Sequence, residues 1–172
     1  FIEAHSDKLG ADVLEIGSRQ HIPGAYWLIN RDLARGAWLG IDIQAGAGVD
    51  LVADIHDLPA EWAGRFSAVL CSEVLEHVAR PWVALPKLRE VIQPGGWIVL
   101  TTLQCFPLHG FPDDFYRYSE SGLALLLRDA GFINVQTQSA GEVVFKLDDH
   151  GGGNIATRKT PMHVFAVAQV PA

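Results

Sequence analysis

The chain alternates short apolar runs with stretches whose apolar residues recur at helical spacing. Each run predicts a buried strand, and each spaced stretch predicts a helix laid over it. The first clear run, residues 12–16, breaks at Gly17-Ser18-Arg19 into a tight turn. Before it, residues 1–9 read as the end of a helix that Gly10 stops. Residues 26–33 carry Trp27, Leu28 and Leu33 in a weak helical pattern that ends near Gly36. A second strand is predicted over 38–43, with the acid Asp42 near its end. Residues 44–48 are a Gly-rich loop, and 49–53 form a third short strand followed by Asp54.

Residues 66–71 are apolar almost without interruption, as a strand buried on both faces must be. Pro81 suits the first position of a helix reaching Ile92, with Trp82, Leu85, Leu88 and Val91 on one face. Pro86 lies inside that pattern and predicts a kink or a break. Gln93-Pro94-Gly95-Gly96 is a turn signal, and 97–101 read as a fifth strand. Ser119 is placed to cap a helix that turns Leu123, Leu126, Leu127 and Ala130 inward and stops at Gly131. Residues 132–138 are strand-like, 143–147 continue them, 150–159 read as a polar loop, and 163–170 form the last strand. Neither a repeat nor a domain-sized linker interrupts the series, so residues 1–172 are expected to form a single domain. Strands alternating with helices imply an α/β fold with a mainly parallel, doubly wound sheet. Without a helix between them, the final strands are expected to form an antiparallel hairpin at one edge.

A length of 172 residues is enough for a full sheet covered on both faces. The chain opens on Phe1 rather than Met, which reads as a trimmed start. A net charge of −7 argues against a nucleic-acid partner, which needs a basic patch, but suits a cationic ligand. The sequence shows no apolar run of membrane-spanning length and no signal-peptide pattern. Cys71 and Cys105 sit in apolar contexts without metal-ligand spacing, so no metal is expected. They read as reduced thiols of a cytoplasmic protein.

Six pieces in order carry a resemblance. They are Val13-Leu14-Glu15-Ile16-Gly17, Gly40-Ile41-Asp42-Ile43, the stretch from Ala53 through Asp54 to Pro59, and Cys71-Ser72-Glu73-Val74-Leu75-Glu76-His77. The stretch from Ile92 through Pro94-Gly95-Gly96 to Leu100, and Ala130-Gly131-Phe132, complete the series. This order resembles the class I S-adenosylmethionine-dependent methyltransferases, and most closely the small type-11-like members. The resemblance implies a Rossmann-like sheet of seven strands with the last inserted antiparallel. The implied cofactor is S-adenosyl-L-methionine, which leaves as S-adenosyl-L-homocysteine.

Carried over residue by residue, Glu15 helps hold the methionine portion through its ammonium. Read alone, it is an acid bonded to the turn backbone, and both roles are compatible. Gly17, beside Ser18, lets backbone approach the cofactor. The family's acid-x-Gly-x-Gly-x-Gly turn would put glycines at positions 19 and 21, where this chain has Arg19 and His21. Gly24 is the candidate for a shifted turn. Asp42, followed by Ile43, can accept both ribose hydroxyls, or is a surface acid at a strand end. Asp54 matches the acid that accepts from the adenine amino group, with the Ile55 N–H serving a ring nitrogen, and Asp57 is the nearby alternative. Cys71 and Ser72 end the fourth strand, where the family lines the methionine and its methyl with backbone. As a nucleophile Cys71 lacks an activating pair, and a small buried thiol is the simpler role. His77 lies four residues after Glu73, on one face of a short helical turn. It either bonds within the site or orients the turn.

The acceptor region is expected after the fifth strand, from Leu108 and His109 to Arg117 and Tyr118. There His109 could act as a base, Asp113 or Asp114 could orient it, and Arg117 could pair with an anionic substrate group. Alternatively, Phe111, Phe115 and Tyr118 pack a lid that Arg117 ties to Asp113 or Asp114. Gly151-Gly152-Gly153 reads as an edge loop rather than a phosphate cradle, since no lysine-bearing phosphate-loop motif is present. A small-molecule methyltransferase with a hydroxyl acceptor is the leading reading. A nicotinamide-dependent oxidoreductase lacks its Gly-x-Gly-x-x-Gly turn here. A noncatalytic methyltransferase-like cofactor-binding or partner subunit is the alternative that the missing glycines leave open.

Overall fold

A computed structural model describes residues 1–20, 31, 33, 35–110, 113–148 and 155–172. The helix expected within 26–33, the turn at Gly24, His21, Phe111 and the Gly151–Gly153 loop lie outside the described residues.

Seven strands form one sheet in the order β3-β2-β1-β4-β5-β9-β6. They are β1 (Val13–Ile16), β2 (Trp38–Asp42), β3 (Leu51–Val52), β4 (Phe66–Ser72), β5 (Ile92–Leu103), β6 (Ile133–Ala140) and β9 (His163–Gln169). The pairings from β3 through β5 are parallel, while β9 runs antiparallel to both β5 and β6. The last strand is thus inserted between the fifth and sixth, as the resemblance implied. The α/β, mostly parallel architecture holds.

Period-two alternation divides the core between the two faces. Leu14, Ile16, Val69, Cys71, Ile98 and Leu100 point to one face, under α1 (Pro81–Val91) and α2 (Glu120–Asp129). Val13, Ala68, Leu70 and Val99 point to the other, where Leu9 from the N-terminal segment covers them. That segment is a 3-10 helix over Glu3–Lys8 with a non-helical break at His5, not the end of an α-helix.

The helices follow the expected signals with two corrections. The buried stripe of α1 is Pro81, Ala84, Leu85, Leu88 and Val91, and Trp82 is 57% exposed. Position 82 falls off the stripe because Ala84 takes the matching place one turn before Leu88. Pro86 neither breaks nor ends α1. The carbonyl that its missing N–H leaves is that of Trp82, on the solvent side. Ser119 caps α2 by accepting from the Gly122 N–H at 3.1 Å, and Gly131 follows the helix at φ +87°.

Two more expectations fail at turns. The signal at 93–96 does not separate a helix from a strand. Pairing begins at Ile92 with Phe66 and resumes at Trp97 with Ala68, so the turn residues form a bulge within β5. Residues 143–147 do not continue β6, and 150–159 are not all loop. β7 (Val143–Asp148) and β8 (Ile155–Thr160) pair antiparallel as a separate two-stranded sheet. Gly141, at φ +76°, breaks β7 from β6, and the Met162 N–H closes the base of the excursion on the Ala140 carbonyl. Among the described residues, no helix is long and apolar enough to cross a membrane.

Candidate functional site

The carboxyl ends of β1, β2 and β4 and the segments after them open onto a cavity of about 590 Å3. Such strand ends are where open α/β sheets place ligands. Gly17 takes φ +73°, and a Cβ there would run into the Val74 side chain. The turn after β1 stays against β2, because the Gly17 and Ser18 N–H groups both donate to the Ile41 carbonyl, at 2.9 and 3.1 Å. The Ser18 hydroxyl is buried and has no partner among the described residues. Glu15 is nearly buried and accepts from the Trp38 indole N–H at 2.9 Å.

The strand-end carboxylates are held by backbone. Asp42 Oδ1 accepts the Gln44 N–H at 2.9 Å, and Oδ2 takes a longer contact from the Arg19 N–H at 3.4 Å. Asp54 Oδ1 accepts the His56 N–H at 2.8 Å and lies 2.7 Å from His56 Nδ1. Partial burial works to raise the Asp54 pKa. The two His56 hydrogen bonds and the charges of His56 and Arg80 outweigh it and hold the carboxyl below its ordinary value. Arg31, also on the cavity wall, pairs with Asp50 at 2.6 Å and donates to the Gly48 carbonyl at 2.9 Å.

The other end of the cavity is built from a single turn and a loop. β4 ends with the Ser72 hydroxyl 2.9 Å from that of Thr101. Glu73 then adopts φ +51°, a left-handed conformation that a non-glycine residue keeps only where its surroundings enforce it. Its N–H donates to the Thr101 carbonyl at 2.9 Å. One 3-10 turn, Leu75–His77, follows. Glu76 in this turn is fully buried, and its Oε2 accepts from the Thr102 hydroxyl at 2.9 Å. Its carbonyl accepts the N–H groups of Phe115 and Tyr116, at 2.8 and 3.2 Å. Burial, and next the nearby charge of Glu73, push the Glu76 carboxyl up to about 7.

His77 donates its Nδ1–H to the Asp113 carbonyl. In the neutral ring this leaves the lone pair on Nε2, which lies 3.9 Å from Glu76 Oε1. The His109 ring meets His77 edge-on, with centroids 4.8 Å apart. Asp114 Oδ2 accepts the His109 backbone N–H at 2.9 Å and lies 3.2 Å from its Nδ1. Arg117 grips both oxygens of Asp114 and donates to the carbonyls of Phe106, Pro107 and Tyr116. The hydrogen bonds from Arg117 hold the Asp114 carboxyl far below the usual carboxylate range.

Of the residues expected from sequence, Glu15, Gly17, Ser18, Asp42, Ile43, Asp54, Ile55, Ser72, His77, His109 and Asp113 line this one cavity. Cys71 and Arg117 do not. Cys71 is fully buried on the helix-covered face, and burial followed by the charges of Glu76 and Glu73 pushes its thiol up. Arg117 spends its donors on the loop, which matches the lid-tie alternative rather than an anion-binding role. The acid beside His109 is Asp114, while Asp113 contributes its carbonyl to His77. Phe115, expected in the acceptor region or its lid, also lines the cavity, as do Arg31, His56 and Val74, for which no role was expected. Arg31 carried no signal, since only the fold brings it beside Gly40. Glu76, one residue before an expected His, gave no sign in sequence that it would be buried.

Residues 31–100 match the family model described as a methyltransferase domain. A ubiquinone biosynthesis O-methyltransferase of Chromobacterium violaceum is 32% identical over 118 residues, covering 60% of this chain and 49% of that protein. One from Xanthomonas axonopodis is 32% identical over 123 residues, covering 62% and 49%. The chain spans about half the length of these curated relatives. A methyltransferase from Archaeoglobus fulgidus described as dependent on S-adenosylmethionine superposes with a TM-score of 0.69 at 15% identity, covering 98% of this chain and 90% of that one. The 1,6-didemethyltoxoflavin-N1-methyltransferase of Burkholderia thailandensis, solved with its substrate and S-adenosylhomocysteine, gives 0.66 at 13% identity, covering 99% and 75%. At such identities these structures speak for the fold. With the matched segment and the curated relatives beside that fold, the chain is similar to S-adenosylmethionine-dependent methyltransferases over residues 31–100 and in the fold.

Proposed function

We propose that this chain is a methyltransferase that uses S-adenosyl-L-methionine to methylate a small molecule at a hydroxyl. The observation that carries the reading is one cavity lined by Gly17, Asp42, Asp54, His77 and His109 together. Its volume suits a nucleoside-sized ligand plus a small acceptor. The fit rests on Gly17, where a Cβ would close the space toward Val74, and on the unpartnered Ser18 hydroxyl at the same turn. In this reading Asp42 receives the ribose hydroxyls, with Ile43 beside it. Asp54 and the Ile55 N–H read the adenine edge, and Glu15 with the turn backbone holds the amino-acid portion. When bound, the cofactor supplies a methyl group on a sulfonium centre.

The chain's own task is to hold the acceptor in line with that methyl and keep water out, which supplies much of the acceleration. Ser72 and Glu73 wall the middle of the cavity. Phe115 contributes an apolar surface at the acceptor end. His109, with Asp114 behind it, is placed to take the hydroxyl proton. The relatives named as O-methyltransferases support an oxygen acceptor. A cytoplasmic location is part of the same reading, on the reduced cysteines alone.

Calorimetric titration with S-adenosylmethionine and S-adenosylhomocysteine tests it. Saturable one-site binding that Asp42→Ala weakens at least tenfold is expected. A folded chain that binds neither would overturn the reading and leave the noncatalytic-subunit alternative.

A further inference from the structure

Three side chains at the acceptor end each offer a ligand atom to the same point. Glu76, His77 and His109 bring a carboxylate oxygen and two imidazole nitrogens within 4.8 Å of one another. Acidic or histidine clusters are common, but this one has features that a chance cluster lacks. Glu76 is fully buried, and its Oε1 has no hydrogen-bond partner among the described residues. A buried carboxylate oxygen left unmatched costs free energy that the fold would otherwise avoid. The other oxygen is already held by Thr102, so the free one cannot turn away without breaking that bond.

His77 is prepared in the same way. A histidine that ligates a metal through one nitrogen usually donates the other N–H to a carbonyl or a carboxylate. His77 donates Nδ1–H to the Asp113 carbonyl, which leaves Nε2 with its lone pair on the Glu76 side. His109 Nδ1 lies 3.2 Å from Asp114 Oδ2, which orients its ring beside His77. Asp114 and its Arg117 clamp anchor the His109 backbone.

We propose that Glu76, His77 and His109 form a binding site for a divalent first-row transition metal, open on its remaining side to the cavity. Two imidazoles and one carboxylate favour zinc, manganese, iron or cobalt over magnesium or calcium, which prefer all-oxygen sites. Bonds of about 2.0–2.2 Å put ligand atoms about 3–4 Å apart, so modest side-chain rotation closes the set. A bound cation would supply the positive charge that the buried Glu76 carboxylate lacks. An acceptor hydroxyl entering the open position would lose its proton to solvent more readily, and the imidazoles would then hold the ion rather than that proton. The site itself does not depend on the proposed methyl transfer, and its test reads binding alone.

The test uses the full chain, cleared of metal with a chelator and titrated with Co2+ while its visible absorption is followed. Zn2+ titration by calorimetry runs in parallel. One saturable equivalent is expected, with visible bands of a nitrogen- and oxygen-ligated ion. Glu76→Gln, which keeps the shape and can still accept from Thr102, should weaken binding at least tenfold. His109→Ala should do the same, with folding of both variants checked by circular dichroism. A folded wild type that binds no cobalt would overturn the site, as would binding unchanged in both variants. Displacement of cobalt by equimolar Mg2+ would overturn the assignment to a transition metal.

Discussion

The two ends of the cavity are built on different principles. At the proposed cofactor end, the two strand-end carboxylates each accept a backbone N–H from two residues further on. Asp42 takes the Gln44 N–H, and Asp54 takes that of His56. At the acceptor end the groups are held across the fold. Glu76 is fixed by Thr102 from β5 and by Phe115 and Tyr116, and His77 is fixed by Asp113. A local device survives the loss of one neighbour. A long-range knot transmits it, so damage at the acceptor end should reach stability, and damage at the cofactor end should stay in binding.

The largest effect on stability should come from the clamp. Arg117→Met leaves the Asp114 carboxylate buried without its guanidinium, which would cost about 2 kcal/mol. Arg117 is partly exposed, so this is less than the loss of a fully buried pair. Denaturant unfolding measures it. A change below about 0.5 kcal/mol would place the clamp among ordinary surface pairs and break the contrast.

On the cofactor side, Gly17→Val should abolish detectable binding of S-adenosylhomocysteine. A side chain there meets Val74 and also strains a left-handed backbone. Asp42→Ala should weaken binding at least tenfold with little change in unfolding midpoint, since it removes one exposed hydrogen bond and one long, part-buried contact to loop N–H groups. If Asp42→Ala instead lowered stability as much as Arg117→Met does, the carboxylate would be a structural post rather than a ligand.

This contrast also explains what could be read from the sequence. Strand order, the inserted β9 and the strand-end acids follow from local patterns: an apolar run, an acid, a glycine. Asp42 and Asp54 were therefore legible. The two roles open for Arg117 could not be separated in sequence, because its partners lie on a loop that folds back on itself and no spacing rule distinguishes a guanidinium facing substrate from one facing Asp114 and the Phe106 and Pro107 carbonyls. Asp113 and Asp114 are adjacent acids, and only the loop path decides which faces His109. The β7–β8 pair was hidden for a related reason. Its glycines read as loop, and pairing across residues 149–154 is not a local signal.

The clamp carries a pH dependence of known sign. Asp114 has a folded pKa held well below its unfolded value near 4, so above that value its contribution is fully present. As pH falls, the unfolded chain takes the proton first, and the stabilisation drains until the folded carboxyl itself is protonated. The unfolding midpoint should therefore fall between pH 5 and pH 3. Part of that fall should vanish in Asp114→Asn, where there is no proton to take up. An identical slope in the variant would remove Asp114 from the account.

The smallest effect should be at Cys71, which marks the border between the cavity and the helix-covered core. Its thiol lies on the face of β4 opposite Leu70, among Ile16, Val69 and Leu100. Burial keeps it protonated, so it offers no thiolate to a ligand or an alkylating agent. Cys71→Ala should then leave S-adenosylhomocysteine affinity within twofold and cost about 1 kcal/mol of stability, from a small lost volume. Iodoacetamide should leave Cys71 unmodified in the folded wild type and label it in urea. Rapid labelling in the native state, or a tenfold loss of affinity in the variant, would mean that the cavity reaches through β4. Its two ends would then share a wall that the strand's alternation assigns to the core.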